Sequence, residues 1–184
     1  MPTVVSHAVA ATALIAAFPE QAVPRRLMLL GAACSMVPDL DVIGFGFGVR
    51  YGDLLGHRGF THSIVFAAVF ASLAQLAALS GLTPSVRRGL VWFYLFLATA
   101  SHGFLDAFTD GGLGVAFLSP FDTTRYFFPF TPIAVSPIGA HFFSSRGLAV
   151  LLCELRWVWL PAIAFAAVAS CTRRLLIPRP ASKD

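Results

Sequence analysis

The sequence predicts an all-α polytopic membrane protein, a helical bundle of about four or five helices with a long loop after the fourth. Three observations carry that expectation. Only 12% of the 184 residues are charged, against roughly 25% in soluble domains. Hydrophobic residues make up 57%, and the mean hydropathy is +0.77. The apolar residues fall into five segments separated by Gly, Pro, Asp and Arg. The length suits one membrane-embedded helical domain over residues 1–184.

The first segment covers about His7–Phe18 and stops at Pro19-Glu20. The second runs from about Leu27 to Val37 and meets Pro38-Asp39. Both fall short of the ~20 residues that span a bilayer, so they are expected to be tilted, half-immersed or packed as a hairpin. The third, about Ser63–Leu82, the fourth, about Leu90–Phe108, and the fifth, about Leu148–Cys171, approach spanning length. Glu154, Arg156 and Pro161 interrupt the fifth. Thr61 and Ser63 are placed to cap the third helix. Small residues recur in all five segments, which suits close helix packing.

Two regions break the helical pattern. Gly44-Phe45-Gly46-Phe47-Gly48 through Gly52 reads as a loop. The stretch 108–145 holds Gly111-Gly112, Pro120, Pro129, Pro132 and Pro137 with aromatics between them, and long loops in compact domains tend to be functional.

Charge sets the expected orientation. Arg25-Arg26, Arg87-Arg88 and Arg173-Arg174 lie at alternate helix ends. A zigzag chain puts all three pairs on one side, which positive-inside bias makes cytoplasmic. These pairs sit at helix ends rather than on a stripe with interleaved aromatics, so no nucleic acid is expected on a basic face. No basic region precedes the first apolar stretch, so no cleavable signal peptide is expected. The three cysteines, Cys34, Cys153 and Cys171, lie in apolar runs without a paired spacing and read as small buried residues.

The zigzag has a chemical consequence. His7 opens helix one, and Asp39 and Asp41 follow helix two. His57 and His62 precede helix three, while His102 and Asp106 close helix four. Seven residues of metal-ligand type therefore converge at one face. His102 and Asp106 are four apart on a helix and point the same way. Asp39 and Asp41 flank Leu40 and would share a face in an extended turn. Such groups near a bilayer are costly unless they have a function. Imidazole with carboxylate suits zinc, and also manganese or iron, and the ligand count fits two divalent ions with a bridging aspartate. An ion-pair network with Arg58 and Arg125 is the competing reading. Asp53 and Asp122 read as turn residues, Asp110 as a turn residue or a partner supporting the site, and His141 as a surface or structural residue. Glu154 and Arg156 are expected to pair with one another or to reach the site. Trp157 and Trp159 read as interfacial anchors.

These residues resemble a known family. His7, Pro38-Asp39-Leu40-Asp41, the run from Gly56 to Ser63, Ser101-His102, Asp106 and Thr109 match the pattern of YdjM-type inner-membrane metal-dependent hydrolases, as do Pro120, Arg125-Tyr126, Pro129 and Ser136-Pro137. The likeness covers about residues 3–140. It implies a bacterial inner-membrane hydrolase with a distant similarity to zinc-dependent phospholipase C. It also implies metal ligation at His7, Asp39, Asp41, His57, His62, His102 and Asp106. Val42 departs from the pattern, since family members often carry a histidine there.

The expected activity is hydrolysis of a phosphoester, lipid among the candidates, by a two-metal-activated water. Arg58 and Arg125 would contact phosphate, and Asp39 or Asp106 would act as general base. The alternative is a metal transporter or sensor using the same ligands. Few polar residues continue along helices three and four, chiefly Ser72, Gln75 and Thr99, which favours a site at one end. Reporter fusions after Arg88 and Arg174 are expected to score cytoplasmic, and a fusion in the 110–140 loop on the opposite side. Both ends of helix four on one side would break the zigzag.

Overall fold

A computed structural model describes residues 1–19, 23–78, 87–137 and 142–176. Five helical rods form, and among the described residues the only β structure is two isolated bridges, Thr109 with Ile133 and Val115 with Tyr126. The rods are α1 (Val4–Leu14), α2 (Leu27–Met36), α3 (Ile64–Ala78), α4 (Arg88–Asp106) and a last rod made of α5 (Ser145–Glu154) and α6 (Leu160–Leu176). His141 lies outside the described residues.

The second rod differs from its expectation. α2 ends at Met36, but the chain continues through Pro38 as a 3₁₀ segment, Val37–Phe47, closed by Gly48 at φ 82°. Proline fits here because it sits at the start of the segment, where its missing N–H costs nothing. The glycines at 44 and 46 are thus helical rather than looped. With this extension Leu27–Phe47 becomes a 21-residue apolar helix, long enough to cross a membrane; Ser145–Leu175, of 31 residues, is another.

The last rod runs unbroken through Glu154, Arg156 and Pro161 by a change of winding. Leu155–Trp159 is a π-helical turn. A proline ring clashes with the carbonyl four residues before it, here Trp157, and a wider turn relieves the clash. Just before this turn, at the end of α5, lies the fully buried Glu154. Its carboxylate does not pair with Arg156. It accepts hydrogen bonds from Thr3 N (2.6 Å), Thr3 Oγ1 (2.6 Å) and Ser6 Oγ (2.6 Å), and Trp159 Nε1 donates to the same Ser6 Oγ (2.7 Å). Thr3 also caps α1. One buried carboxylate therefore ties the last rod to the start of α1, one turn before His7.

α4 lies at the centre, packed against α1, α2 and α3. Its buried positions are Val91, Tyr94, Leu95, Ala98, Thr99, His102, Gly103 and Asp106, a single stripe at helical spacing. The stripe starts apolar and ends polar. Its apolar half joins Ile15, Phe18, Val23, Leu27, Cys34 and Ala71 in the hydrophobic core. Its polar half faces the cluster described below. Gly103 lets α4 approach the turn before α3, since a Cβ there would lie 2.6 Å from the His62 carbonyl. Ser63 caps α3 as expected, accepting from Phe66 N at 3.0 Å.

Glu154→Ala is expected to leave the Thr3 and Ser6 donors without an acceptor, at a cost of about 1–3 kcal/mol. The midpoint of thermal unfolding in detergent should fall clearly, and less so for Glu154→Gln, which keeps an acceptor oxygen. An unchanged midpoint in Glu154→Ala would remove the tie from the account.

Candidate metal centre

The structure brings all seven candidate residues to one end of the bundle, and it sorts them by what each side chain touches. His102 and Asp106 arrive from the inward stripe of α4, fully buried. Asp39 and Asp41 come from the 3₁₀ segment. A 3₁₀ turn rotates about 120° per residue, so residues two apart diverge rather than share a face. Asp39 turns to His102 and His62, while Asp41 turns to His57 and Thr61.

One group is Asp39, His62, His102 and Asp106, all buried, with one donor atom from each converging within 4.8 Å. His62 Nε2 is 3.1 Å from His102 Nε2, 3.4 Å from Asp106 Oδ2 and 3.7 Å from Asp39 Oδ1. His102 Nε2 is 3.2 Å from Asp39 Oδ1 and 4.0 Å from Asp106 Oδ2. Donors about 2.0–2.1 Å from a tetrahedral zinc are about 3.3 Å apart, so these separations fit one cation. Both oxygens of Asp39 and of Asp106 are buried without a hydrogen bond. Native structures rarely leave buried polar atoms in that condition, and an ion is one of the standard explanations.

The histidine tautomers agree with that fit. His102 Nδ1 is 2.6 Å from the Ser35 carbonyl, which only accepts. Nδ1 is therefore the protonated nitrogen, and Nε2 keeps its lone pair toward the cluster. His62 Nδ1 is 3.2 Å from Asp41 Oδ2, which directs its Nε2 inward in the same way. A carboxylate or carbonyl behind a ligating histidine is the usual arrangement around metals. Asp41 is itself held, with Oδ1 2.7 Å from His57 Nδ1 and Oδ2 accepting from Thr61 Oγ1 at 2.8 Å. Asp41, His57 and His62 also form a second group within reach of one ion. Burial alone would pull the His62 pKa down, but its contacts with Asp106, Asp39 and Asp41 raise it to about 10. The surroundings of that ring therefore favour positive charge.

His7 stacks on His102 with ring centroids 3.6 Å apart. Its Nε2 is 3.5 Å from Asp106 Oδ1, and neither ring nitrogen has a hydrogen-bond partner. It stands beside the four-donor group as a further donor.

The two arginines are engaged by protein atoms. Arg58 is fully buried. Its Nη1 donates to Gly111 O at 2.7 Å and its Nη2 to Thr109 Oγ1 at 2.8 Å. Its Nε lies 3.0 Å from Asp106 Oδ2, close enough for an ion pair but poorly angled for a hydrogen bond. It adopts φ 61°, a left-handed conformation that costs a residue with a Cβ about 1–3 kcal/mol. Such strain persists only where the surroundings enforce it, and here three contacts do. Arg125 donates to the carbonyls of His57 (2.9 Å), Tyr51 (3.1 Å) and Asp53 (3.3 Å), pinning the loop that carries His57.

Sequence reasoning missed three contributors. Thr61 was expected to cap a helix and instead holds Asp41. The Ser35 carbonyl and the Glu154 tie carried no motif. A faint signal for Ser35 was available, because it precedes Pro38-Asp39 by one helical turn. Cys34 lies in the apolar core, Cys153 is half-buried and Cys171 is exposed, and none joins either group of candidate ligands.

Fold and cluster together define a class: a polytopic helical membrane protein with a buried Asp/His cluster of metal-ligand type at one end of its bundle. Within that class the chain belongs to the YdjM inner membrane protein family, which it matches over residues 1–176. It is also 38% identical over 177 residues to the inner membrane protein YbcI of Escherichia coli (strain K12), covering 95% of this chain and 100% of that protein. These likenesses agree with a bacterial inner-membrane location and a lipid bilayer environment. No solved structure matches the chain.

Asp39→Ala and His62→Ala are expected to abolish retention of a divalent ion through dialysis, measured by elemental analysis. Asp41→Asn, which keeps the shape behind His62 but loses the charge, should weaken affinity by about 10–100-fold. Equal retention in all three variants would remove the four-donor group as the binding site.

Proposed function

We propose that the protein is a metal-dependent hydrolase of the inner membrane that cleaves a phosphoester, with its site on the non-cytoplasmic side. The observation that carries this reading is the set of four converging buried donors, two of them carboxylates with no hydrogen bond. Asp39, His62, His102 and Asp106 would hold the ion, with His7 as an added donor. The mixed nitrogen and oxygen set favours zinc and also suits manganese or iron. A divalent ion there supplies Lewis acidity and lowers the pKa of water toward neutrality.

The chain's own residues do the rest. Asp41 and the Ser35 carbonyl fix the tautomers of His62 and His102. Arg58 holds Asp106 and the 109–111 loop, and Arg125 holds the loop before His57, so both arginines act through the groups they fix. Asp39 has side-chain exposure of 6%, against 0% for Asp106. That difference favours Asp39, through the oxygen not holding the ion, as the carboxylate that would take a proton from an attacking water. A second ion would draw on Asp41 and His57, and on His62 only if its Nδ1 gave up the proton that Asp41 holds. One ion per chain on metal analysis assigns Asp41 and His57 to orientation, and two ions bring them into coordination.

Transport or sensing is the alternative use of such a cluster. A transport path needs polar groups through the bundle. Below Thr99 the buried stripe of α4 is Val91, Tyr94, Leu95 and Ala98, and the core around it is apolar. That favours a site at one end.

The test is turnover of a phosphodiester and phospholipid panel by purified, zinc-loaded protein. Hydrolysis should vanish on chelation and return with metal. Asp39→Asn, assayed at zinc occupancy matched to wild type, should lower kcat by about 10²–10⁴-fold, the range of general acid–base catalysis. No turnover of any phosphoester by fully loaded wild-type protein would move the transport or sensing reading ahead.

A further inference from the structure

α4 carries a second stripe that the ligand cluster does not use. Phe96, Ala100 and Phe104 recur every fourth residue and so share a face, distinct from the buried face of His102 and Asp106. A cleft of about 350 Å³ opens there, bounded by Ile64 of α3, by Phe117 and Phe128 of the loop, and by His62. The volume falls within the roughly 300–1,000 Å³ of ligand pockets.

The walls are carbon apart from His62, which is also one of the four converging donors. The cleft therefore has a polar end at the cluster and an apolar end along α4. From Phe104 back to Phe96 the helix rises about 12 Å, away from the cluster. Phe96 and Phe104 flank the small Ala100, which forms a floor between two ridges.

Its shape is set by backbone bonds and aromatic packing. Ile64 N donates to Phe117 O at 3.0 Å, and Phe128 N donates to Ala107 O at 2.9 Å. The Phe104 and Phe128 rings pack 4.8 Å apart. Ile64 and Phe104 are 46% and 51% exposed, so the cleft opens to the outside of the bundle.

We propose that this cleft takes one acyl chain of a phospholipid, with the headgroup end at His62 and the chain running toward Phe96. The walls decide the occupant. A peptide backbone or a soluble polar metabolite would lie there with its polar groups unsatisfied, at a cost of several kcal/mol each in an apolar setting. A hydrocarbon chain has none to satisfy. The position of the chain follows from the walls alone, whereas its meaning as the tail of a substrate rests on the hydrolase reading.

The test uses the full chain, zinc-loaded, in phosphatidylethanolamine nanodiscs. They are doped with phosphatidylglycerol carrying a diazirine at the end of one acyl chain. After photolysis, mass spectrometry should find label on the segments holding Phe96–Phe104 and Phe117 several-fold above the outward face of α6. That face, at Ile163 and Val168, is 60% and 66% exposed and reports ordinary boundary lipid. Ala100→Trp fills the floor and Ile64→Trp narrows the opposite wall. Each should remove most of the cleft label, keep the α6 label and retain bound zinc as wild type does. If one variant fails to hold zinc or to fold, the other decides. Cleft label no higher than on α6, or label surviving in a folded tryptophan variant, overturns the proposal. Turnover is scored separately: a wild type that labels in the cleft but cleaves no phosphoester keeps the chain site and loses the hydrolase.

Discussion

The structure depends on the burial of three carboxylates, Asp39, Asp41 and Asp106, at one end of an apolar bundle. Removing an ion from water costs several kcal/mol even after relaxation, and only close partners recover it. Asp41 recovers it fully through His57, Thr61 and the neighbouring backbone. Asp106 has an arginine at its side, and Asp39 has only imidazoles. One guanidinium among three carboxylates leaves the cluster negative. A cation between His62 and His102 corrects that imbalance and meets one unpaired oxygen of each of Asp39 and Asp106. Without one, the charge falls to a proton on His62, whose ring the three carboxylates hold toward the cationic form.

α4 makes that arrangement possible. A single inward stripe contributes core packing at one end and two candidate ligands at the other, so the ligands inherit the rigidity of the core. Around it, each ligand is held from behind. Ser35 holds His102, Asp41 holds His62, Arg58 holds Asp106, and Glu154 holds the start of α1 on which His7 sits. Sites built on packed elements with fixed supporting groups keep their geometry more closely than sites built on free loops.

Much of this was legible in the sequence. Pro38-Asp39-Leu40-Asp41, His57 to His62, and His102 to Asp106 stand out because polar residues at the ends of apolar segments have few structural uses. Alternating helix ends then required them to meet. The helical spacing of His102 and Asp106 carried over directly. Asp39 and Asp41 did not, because the winding of the segment after Pro38 decides whether residues two apart share a face, and nothing local announces a 3₁₀ path. The interruptions at Glu154, Arg156 and Pro161 looked like a break and became a π turn. The partner of Glu154 was invisible because Thr3 lies 151 residues away. Arg58 read either as a phosphate partner or as a member of an ion-pair network, and the sequence could not choose. The left-handed backbone of Arg58 and its contacts with Thr109 and Gly111 depend on a loop whose path the sequence does not specify.

The central claim is that the Asp/His cluster is built around a divalent cation, and X-ray absorption spectroscopy on purified zinc-loaded protein tests it most directly. The account predicts a shell of nitrogen and oxygen only, at about 2.0–2.1 Å, without the sulfur scattering at about 2.3 Å that cysteine ligation gives. It also predicts outer-shell imidazole scattering from at least two histidines, lost in His102→Ala. A sulfur-containing shell, a signal unchanged in His102→Ala, or protein that takes up no metal would contradict it.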